Sequence, residues 1–253
     1  MSGPDVVIGG AQRSGTTFLA RILQKHPDVY GPFHLWPEPK VCLREHNHGD
    51  DGYRVEYERL FENARAGQLR LEKTANYLES PFAPARLARI APQAKFLFIL
   101  RDPVMRAWSN WKYSVSTGLE TLSFEEAVAR EHDRPNPFGD APEATRPFDY
   151  VGRGRYGTFA SRWLHAIGPG RVKFILFEDL VRHPETLVHE VQAWLGIPIL
   201  PWPSLTTGQE NASPCGAQAV APSLARQLRE GYRGELSLLS RLTGLNLHCW
   251  DVT

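Results

Sequence analysis

The sequence predicts an α/β fold, a three-layer sandwich around a central, mainly parallel sheet. Three continuous apolar runs, at residues 5–9, 95–100 and 172–176, have the length and composition of strands buried on both faces. Apolar residues at helical spacing follow each run, and this alternation of strand and helix is typical of parallel sheets. The first run ends in a glycine-rich, P-loop-like turn.

The first strand, Asp5–Gly9, leads through Gly10 and Gly15 into a predicted helix. Phe18, Leu19, Ile22 and Leu23 form the apolar face of this helix, and His26-Pro27 ends it. A shorter strand is predicted at residues 69–72.

The strand at residues 95–100 is followed by a helix from about Val104, with Asp102 as its N-cap and Pro103 in its first turn. The strand at residues 172–176 precedes a helix through Leu187, Val191 and Leu195. Gly196 is expected to cap the end of that helix.

Residues 132–155 and 198–222 are rich in proline, glycine, serine or threonine, and they are predicted to be either binding loops or disordered segments. No second self-sufficient core follows either segment, so residues 1–253 are predicted to form one domain.

The bulk composition excludes several classes of function. A net charge of +1 gives no general attraction to nucleic acid. No apolar run reaches 18 residues, so no membrane span is expected. The N-terminus lacks the pattern of a secretory signal, and the three scattered cysteines fit reduced thiols, so a cytoplasmic location is predicted. The sequence carries no signal for an oligomeric state.

The turn at residues 10–17, Gly-Ala-Gln-Arg-Ser-Gly-Thr-Thr, has the glycine spacing of a nucleotide-triphosphate P-loop. Glycines and unpaired amides at a helix start can surround an anion. Thr16 stands where a triphosphate P-loop has its lysine, and the cation, Arg13, lies inside the turn. The turn therefore favours an anion without a γ-phosphate or Mg²⁺; the alternative is an ordinary glycine turn that starts a helix.

A second anion site is predicted where the strand at residues 95–100 ends. Arg101 lies at the carboxyl edge of that strand, where open α/β sheets bind ligands. Ser109 is eight residues further on, about two turns into the helix, so the guanidinium and the hydroxyl are expected to converge on one phosphate.

These two segments resemble the sulfotransferase superfamily that uses 3′-phosphoadenosine 5′-phosphosulfate (PAPS), and they are more similar to its bacterial and Golgi carbohydrate branch than to its phenol-sulfating branch. The resemblance implies that the residues of the turn bind the 5′-phosphosulfate: Gln12, Arg13, Ser14, Gly15, Thr16 and Thr17. It implies that Arg101 and Ser109 bind the 3′-phosphate. Arg13 replaces the usual lysine and is assigned electrostatic stabilisation, because arginine does not readily donate a proton.

The same resemblance implies the catalytic residues. Pro37-Glu38-Pro39-Lys40 is similar to the Lys-Glu-Pro-His segment whose glutamate deprotonates the acceptor, although Pro37 and Lys40 depart from it. Glu38 is thus the predicted base, with Asp28 and Glu45 as weaker candidates and an exposed turn carboxylate as the alternative. Residues 72–77, Glu-Lys-Thr-Ala-Asn-Tyr, are similar to the family's Glu-Lys-Ser-Pro-x-Tyr segment, in which the lysine (here Lys73) supports the transferring sulfuryl group.

Further segments contain candidate binding residues or depart from the family's pattern. Arg155, or Arg153, is a candidate contact to the donor phosphate, and residues 33–36 are candidates for an acceptor pocket. The family's Lys-Gly-Arg loop corresponds to residues 213–217, Ser-Pro-Cys-Gly-Ala, which lack both cations. Residues 46–51, His-Asn-His-Gly-Asp-Asp, match no metal-ligand spacing, so no metal is expected.

The sequence thus predicts a PAPS-dependent sulfotransferase with a small-molecule, lipid or glycan acceptor that carries a hydroxyl or an amine. The modest net charge weighs against a polyanionic polysaccharide. Two alternatives stay open: a nucleotide or small-molecule kinase with an atypical P-loop, and an inactive nucleotide-binding protein.

Overall fold

The computed structural model describes residues 3–32, 37–141, 144–201 and 220–250. The strands are β1 (Val6–Gly10), β2 (Val29–Tyr30), β3 (Leu69–Lys73), β4 (Lys95–Leu100) and β5 (Val172–Leu176). The α-helices are α1 (Thr16–Gln24), α2 (Gly49–Leu60), α3 (Ala83–Ile90), α4 (Pro103–Ser116), α5 (Phe124–Ala129), α6 (Tyr156–Ile167), α7 (Phe177–Arg182), α8 (Pro184–Leu195) and α9 (Pro222–Thr243).

The chain divides into two compact units. The first contains Met1–Leu100 and Arg162–Glu210, and the second contains Arg101–Ser161 and Asn211–Thr253. Each unit has a hydrophobic cluster of its own. The prediction of one domain stays a prediction.

The sheet belongs to the first unit, and its strands are all parallel in the order β2-β3-β1-β4-β5. β1 lies between β3 and β4. The chain first places β2 and β3 on one side of β1, and it then crosses over to place β4 and β5 on the other side. In open α/β sheets, this switch in strand order leaves a crevice at the carboxyl ends of the strands, where ligands bind. The turn that follows β1 therefore begins at the binding edge of the sheet.

Helices cover both faces of this sheet. Buried residues of α1, α7 and α8 pack against the side chains of Val6, Ile8, Leu97, Ile99 and Ile175 on one face. On the other face, Trp163 of α6 packs against Phe96 and Phe98, with ring centroids 5.2 and 4.7 Å away. This burial on both faces explains why β4 reads as an uninterrupted apolar run.

The second unit is helical. Buried residues of α4, α5 and α9 form its core together with Tyr150. Asp102 caps α4: its Oδ1 accepts hydrogen bonds from the backbone N–H groups of Val104 (2.8 Å) and Met105 (3.1 Å). The predicted N-cap role of Asp102 is thereby confirmed.

The predicted fold class is confirmed, as are the four predicted strands, to within a residue at their ends. Gly196 has a φ of +81° and ends α8 in the left-handed conformation expected of a C-cap glycine. Short 3₁₀-helices at Glu131–Asp133 and Gly152–Gly154 interrupt the stretch predicted to be a long loop. The sequence pattern does not predict β2, α2, α3, α5 or α9, nor does it predict α7 as a helix separate from α8.

Within the described ranges, no helix combines the length and the apolar character needed to cross a membrane.

Candidate active site

The turn between β1 and α1 brings backbone amides to the carboxyl edge of the sheet. Gly15, the N-cap of α1, has a φ of +83°, and among the described residues no side chain caps this end of the helix. The first amides of α1 are therefore available to an anion, and the helix dipole adds roughly half a positive charge there. Arg13 also has a left-handed backbone, with a φ of +69°, which is uncommon for a residue with a side chain.

Ser14 provides a test of whether this turn fits an anion. Its side chain is fully buried, and among the described residues its Oγ has no hydrogen-bond partner. A buried hydroxyl without a partner costs free energy, so an acceptor supplied by a ligand would satisfy it. The phosphate or sulfate oxygens of the predicted donor are acceptors of this kind, so the residues of the turn fit the group.

Glu38 and Lys73 form a buried ion pair in the first unit. The Oε1 atom of Glu38 lies 2.6 Å from the Nζ atom of Lys73, and their side chains are 6% and 4% exposed. The other carboxylate oxygen of Glu38 accepts a hydrogen bond from the N–H of Ala75 at 3.1 Å. The structure thus brings together two predicted catalytic residues that are 35 positions apart in the chain.

The segment after β3 places this pair beside the amide turn. Thr74 donates its N–H to the carbonyl of Ile8 at 3.0 Å, and Leu78 donates to the carbonyl of Gly9 at 2.8 Å. A Cβ atom at Gly10 would lie 2.9 Å from the carbonyl oxygen of Ala75, the residue that binds Glu38. Glycine at position 10 therefore allows the turn and the Glu38-binding segment to approach each other closely.

The groups at this edge of the first unit are those that the transfer of an anionic group requires. It has amides and a cation for an anion, a buried carboxylate that can accept a proton, and an ammonium beside that carboxylate. Such a set suits the transfer of an anionic group to a hydroxyl or an amine.

Arg101 and Ser109 belong to the second unit. Arg101 directly precedes the N-cap of α4, and Ser109 lies buried on α4. Arg101 is half-buried. Their predicted contact with a 3′-phosphate stays a prediction.

A residue that the sequence analysis missed, Arg229 of α9, supports this helix start. Its Nη2 atom lies 3.0 Å from Oδ2 of Asp102, and its Nε donates to the carbonyl of Trp250 at 3.2 Å. Because the other oxygen of Asp102 caps α4, Arg229 holds the residue adjacent to Arg101 in place. Arg229 follows Asp102 by 127 positions in an amphipathic helix, and no local pattern marks this pairing.

The remaining candidate binding residues differ in their exposure, and some of them lie outside the described residues. Arg155 is exposed directly before α6, whereas Arg153 is buried and lies 3.8 Å from Asp149. The acceptor-pocket candidates at residues 33–36 and the stretch at residues 213–217 lie outside the described residues.

The histidine- and aspartate-rich segment at residues 46–51 is engaged in ion pairs. Asp50 and Asp51 form ion pairs with Arg89 and Arg54, and the Nε2 atom of His46 lies 3.0 Å from a carboxylate oxygen of Glu56. Within the described ranges, no three His, Cys, Asp or Glu side chains are grouped to hold a metal ion.

Glu72, which directly precedes Lys73, is a second residue without an assigned role in the sequence analysis. It is fully buried, and it accepts hydrogen bonds from Tyr57 and Tyr77 at 2.6 Å each and from Thr74 at 3.0 Å. Burial is the main reason that the pKa of Glu72 is raised, to about 7, and its hydroxyl partners moderate this rise. The signal in the sequence that points to it is its place at the start of residues 72–77, the segment that resembles the family's Glu-Lys-Ser-Pro-x-Tyr segment.

Comparisons with known proteins identify the family of this chain. The family model described as "Sulfotransferase family" matches residues 4–202. Heparan sulfate glucosamine 3-O-sulfotransferase 3A1 of Mus musculus is 27% identical over 98% of this chain and 64% of its own length. Heparan sulfate glucosamine 3-O-sulfotransferase 6 of Homo sapiens is 31% identical over 77% of this chain and 52% of its own length. The chain thus spans less than two thirds of these relatives.

A solved structure supports the same assignment. The sulfotransferase from Alicyclobacillus acidocaldarius superposes with a TM-score of 0.82 and 29% identity, and the match covers all of both chains. The family model, for its part, covers more than half of the chain. This chain belongs to the sulfotransferase family.

Proposed function

We propose that this protein transfers the sulfuryl group of PAPS to a hydroxyl group of a glycan. The observation that carries the proposal is the buried ion pair of Glu38 and Lys73, held beside an uncapped helix start. This arrangement also argues against an inactive nucleotide-binding protein, which would have no need of a buried carboxylate and ammonium at this edge of the sheet.

Glu38 is the proposed base. It removes the proton of the acceptor hydroxyl, whose oxygen forms a bond to sulfur while the bond from sulfur to the phosphate oxygen breaks. Adenosine 3′,5′-bisphosphate leaves with the electron pair of that bond. As Glu38 takes up the proton it becomes neutral, so Lys73 loses the charge of its partner at 2.6 Å. The positive charge of Lys73 then stabilises the anionic oxygens of the sulfuryl group.

Donor binding is proposed to involve three groups of residues. Residues 12–17 bind the 5′-phosphosulfate through their amides and the guanidinium of Arg13. Arg101 and Ser109 bind the 3′-phosphate, and the exposed Arg155 contributes a further cation. No step in this scheme requires a metal ion.

The proposed class of acceptor comes from the names of the similar proteins. Their names specify a glucosamine unit of heparan sulfate, so a glucosamine-containing glycan is the first acceptor to test. The sequence equally predicts small-molecule and lipid acceptors, and amines as well as hydroxyls. A panel of a heparan sulfate oligosaccharide, free glucosamine and a long-chain alcohol with [³⁵S]PAPS covers these classes. The cytoplasmic location remains a prediction from the sequence.

The donor is tested by thermal unfolding in EDTA with adenosine 3′,5′-bisphosphate, and in parallel with ATP plus Mg²⁺. A ligand at a hundred times its Kd adds about 2.7 kcal/mol to the free energy of unfolding. We expect the bisphosphate to raise the unfolding temperature and ATP plus Mg²⁺ to have little effect. Stabilisation by ATP plus Mg²⁺ alone would instead support the kinase alternative.

A further inference from the structure

Glu72 belongs to a hydrogen-bond network that reaches the segment carrying Glu38. The partners of its carboxylate are three hydroxyl groups, from Tyr57 on α2 and from Thr74 and Tyr77 after β3. Two of these hydroxyls also accept a backbone N–H group, whereas the third, that of Tyr57, lies 3.4 Å from the Sγ atom of Cys42. Thr74 Oγ1 accepts the N–H of Lys40 at 3.2 Å, and the Tyr77 hydroxyl accepts the N–H of Cys42 at 2.9 Å.

The direction of these hydrogen bonds depends on the charge of Glu72. A hydroxyl has one proton to donate and two lone pairs that accept. Because Thr74 and Tyr77 donate their protons to Glu72, their lone pairs face the two backbone N–H groups. An ionised carboxylate is a pure acceptor, so it fixes both hydroxyls in this orientation.

The two backbone N–H groups lie two and four residues after Glu38. Lys40 has a φ of +55°, an uncommon left-handed conformation that its surroundings must hold in place. The carboxylate of Glu38 is fixed by Lys73 and Ala75, while the chain that follows it is fixed by Thr74 and Tyr77.

We propose that Glu72 is a positioning residue that holds Glu38 in its catalytic geometry through the hydroxyls of Thr74 and Tyr77. This inference rests on the proposed function of Glu38 as the base. Glu72 would itself touch neither donor nor acceptor.

The proposal predicts a dependence of turnover on pH. Burial raises the pKa of Glu72 to about 7. Below that pH the protonated carboxyl has a proton of its own to donate and no longer accepts from all three hydroxyls, so kcat falls as the pH is lowered through 7.

The charged and titratable groups near Glu72 come from several elements. They are Glu38, Lys73, Tyr57 and Tyr77, with Cys42 bonded to both tyrosines and Arg86 of α3 near Cys42. Burial raises the pKa of both tyrosines and of Cys42, so these three groups remain protonated across neutral pH.

The first test is Glu72→Gln, assayed with the acceptor selected from the panel. We expect kcat at pH 8 to fall about tenfold or more, the effect of losing one charge-assisted hydrogen bond. The decline in kcat between pH 8 and 6 should disappear, and the affinity for adenosine 3′,5′-bisphosphate should stay within about twofold. An unchanged kcat with the same acidic decline would overturn the proposal.

Two tyrosine variants form a matched pair that does not depend on removing the carboxylate. Tyr57→Phe and Tyr77→Phe each delete one hydroxyl that lies 2.6 Å from Glu72, but only the Tyr77 hydroxyl also binds a backbone N–H of the Glu38 segment. We expect the loss of kcat to be several times larger for Tyr77→Phe. Equal losses would indicate a purely structural network and would contradict the proposal.

If the wild-type protein neither binds the bisphosphate nor transfers label, the proposed function itself fails. This outcome is distinct from the results of Glu72→Gln and of the tyrosine pair that would contradict the role of Glu72.

Discussion

Glu38→Gln should lower kcat by about 10²–10⁴-fold, the range expected when a general base is removed. The amide keeps the size of the side chain and one acceptor oxygen, but it cannot take up the proton of the acceptor. Because donor binding is assigned to other residues, the affinity for adenosine 3′,5′-bisphosphate should change little. Label transfer from [³⁵S]PAPS gives kcat, and calorimetry gives the affinity.

The change also breaks a buried ion pair, so its effect on stability must be measured alongside. Removing one partner of a buried pair typically costs about 3–5 kcal/mol, and a lower unfolding temperature is expected. Glu45→Gln is the matched control: Glu45 is the alternative candidate base, its side chain is 79% exposed, and it lies 3.6 Å from Arg86. If Glu45→Gln loses turnover while Glu38→Gln retains it, the assignment of the base is wrong.

Arg13→Gln should lower kcat by about 10²–10³-fold, comparable to the loss of a group that stabilises charge in a transition state. Arg13 lies in the amide turn, and its left-handed backbone is uncommon for a residue with a side chain. Removing its charge leaves the developing charge on the departing phosphate with less support. Steady-state label transfer at saturating donor measures this effect.

Arg13→Lys and Arg21→Gln complete the comparison. Lysine keeps the charge, so Arg13→Lys should retain most of the turnover. Arg21 is exposed near the end of α1, and its substitution makes the same change in net charge outside the turn. Equal turnover in Arg13→Gln and Arg21→Gln would exclude the proposed role of Arg13.

The sequence predicts the parts of the fold that are governed by local pattern. β1, β4 and β5 are continuous apolar runs because helices cover both faces of the sheet. α2 is missed because its described buried face consists of Tyr53 and Tyr57 among mostly polar residues, which gives little apolar periodicity. β2 is missed because two residues are too few to show a pattern.

The site could be predicted less completely. The glycine spacing marks the amide turn, and the resemblance to the family marks Glu38 and Lys73. Their contact, however, joins a residue that follows β2 to the last residue of β3, and these two strands pair side by side in the sheet. The pairing of Arg229 with Asp102 depends in the same way on the packing of α9 with α4 within the second unit. Neither contact leaves a local signal, because the partners are far apart in the chain.

The central claim is that the donor is PAPS, whose 3′-phosphate distinguishes it from ordinary adenylates and is assigned to Arg101. The most direct test is calorimetric titration, in EDTA, of adenosine 3′,5′-bisphosphate and of adenosine 5′-phosphate into the wild type, Arg101→Ala and the exposed-site control Arg130→Ala. We expect the wild type and the control to prefer the bisphosphate by about 10–100-fold, the effect of a charge-assisted contact to phosphate, and Arg101→Ala to lose this preference. Equal affinities of the wild type for the two nucleotides, or an undiminished preference in Arg101→Ala, would contradict the account.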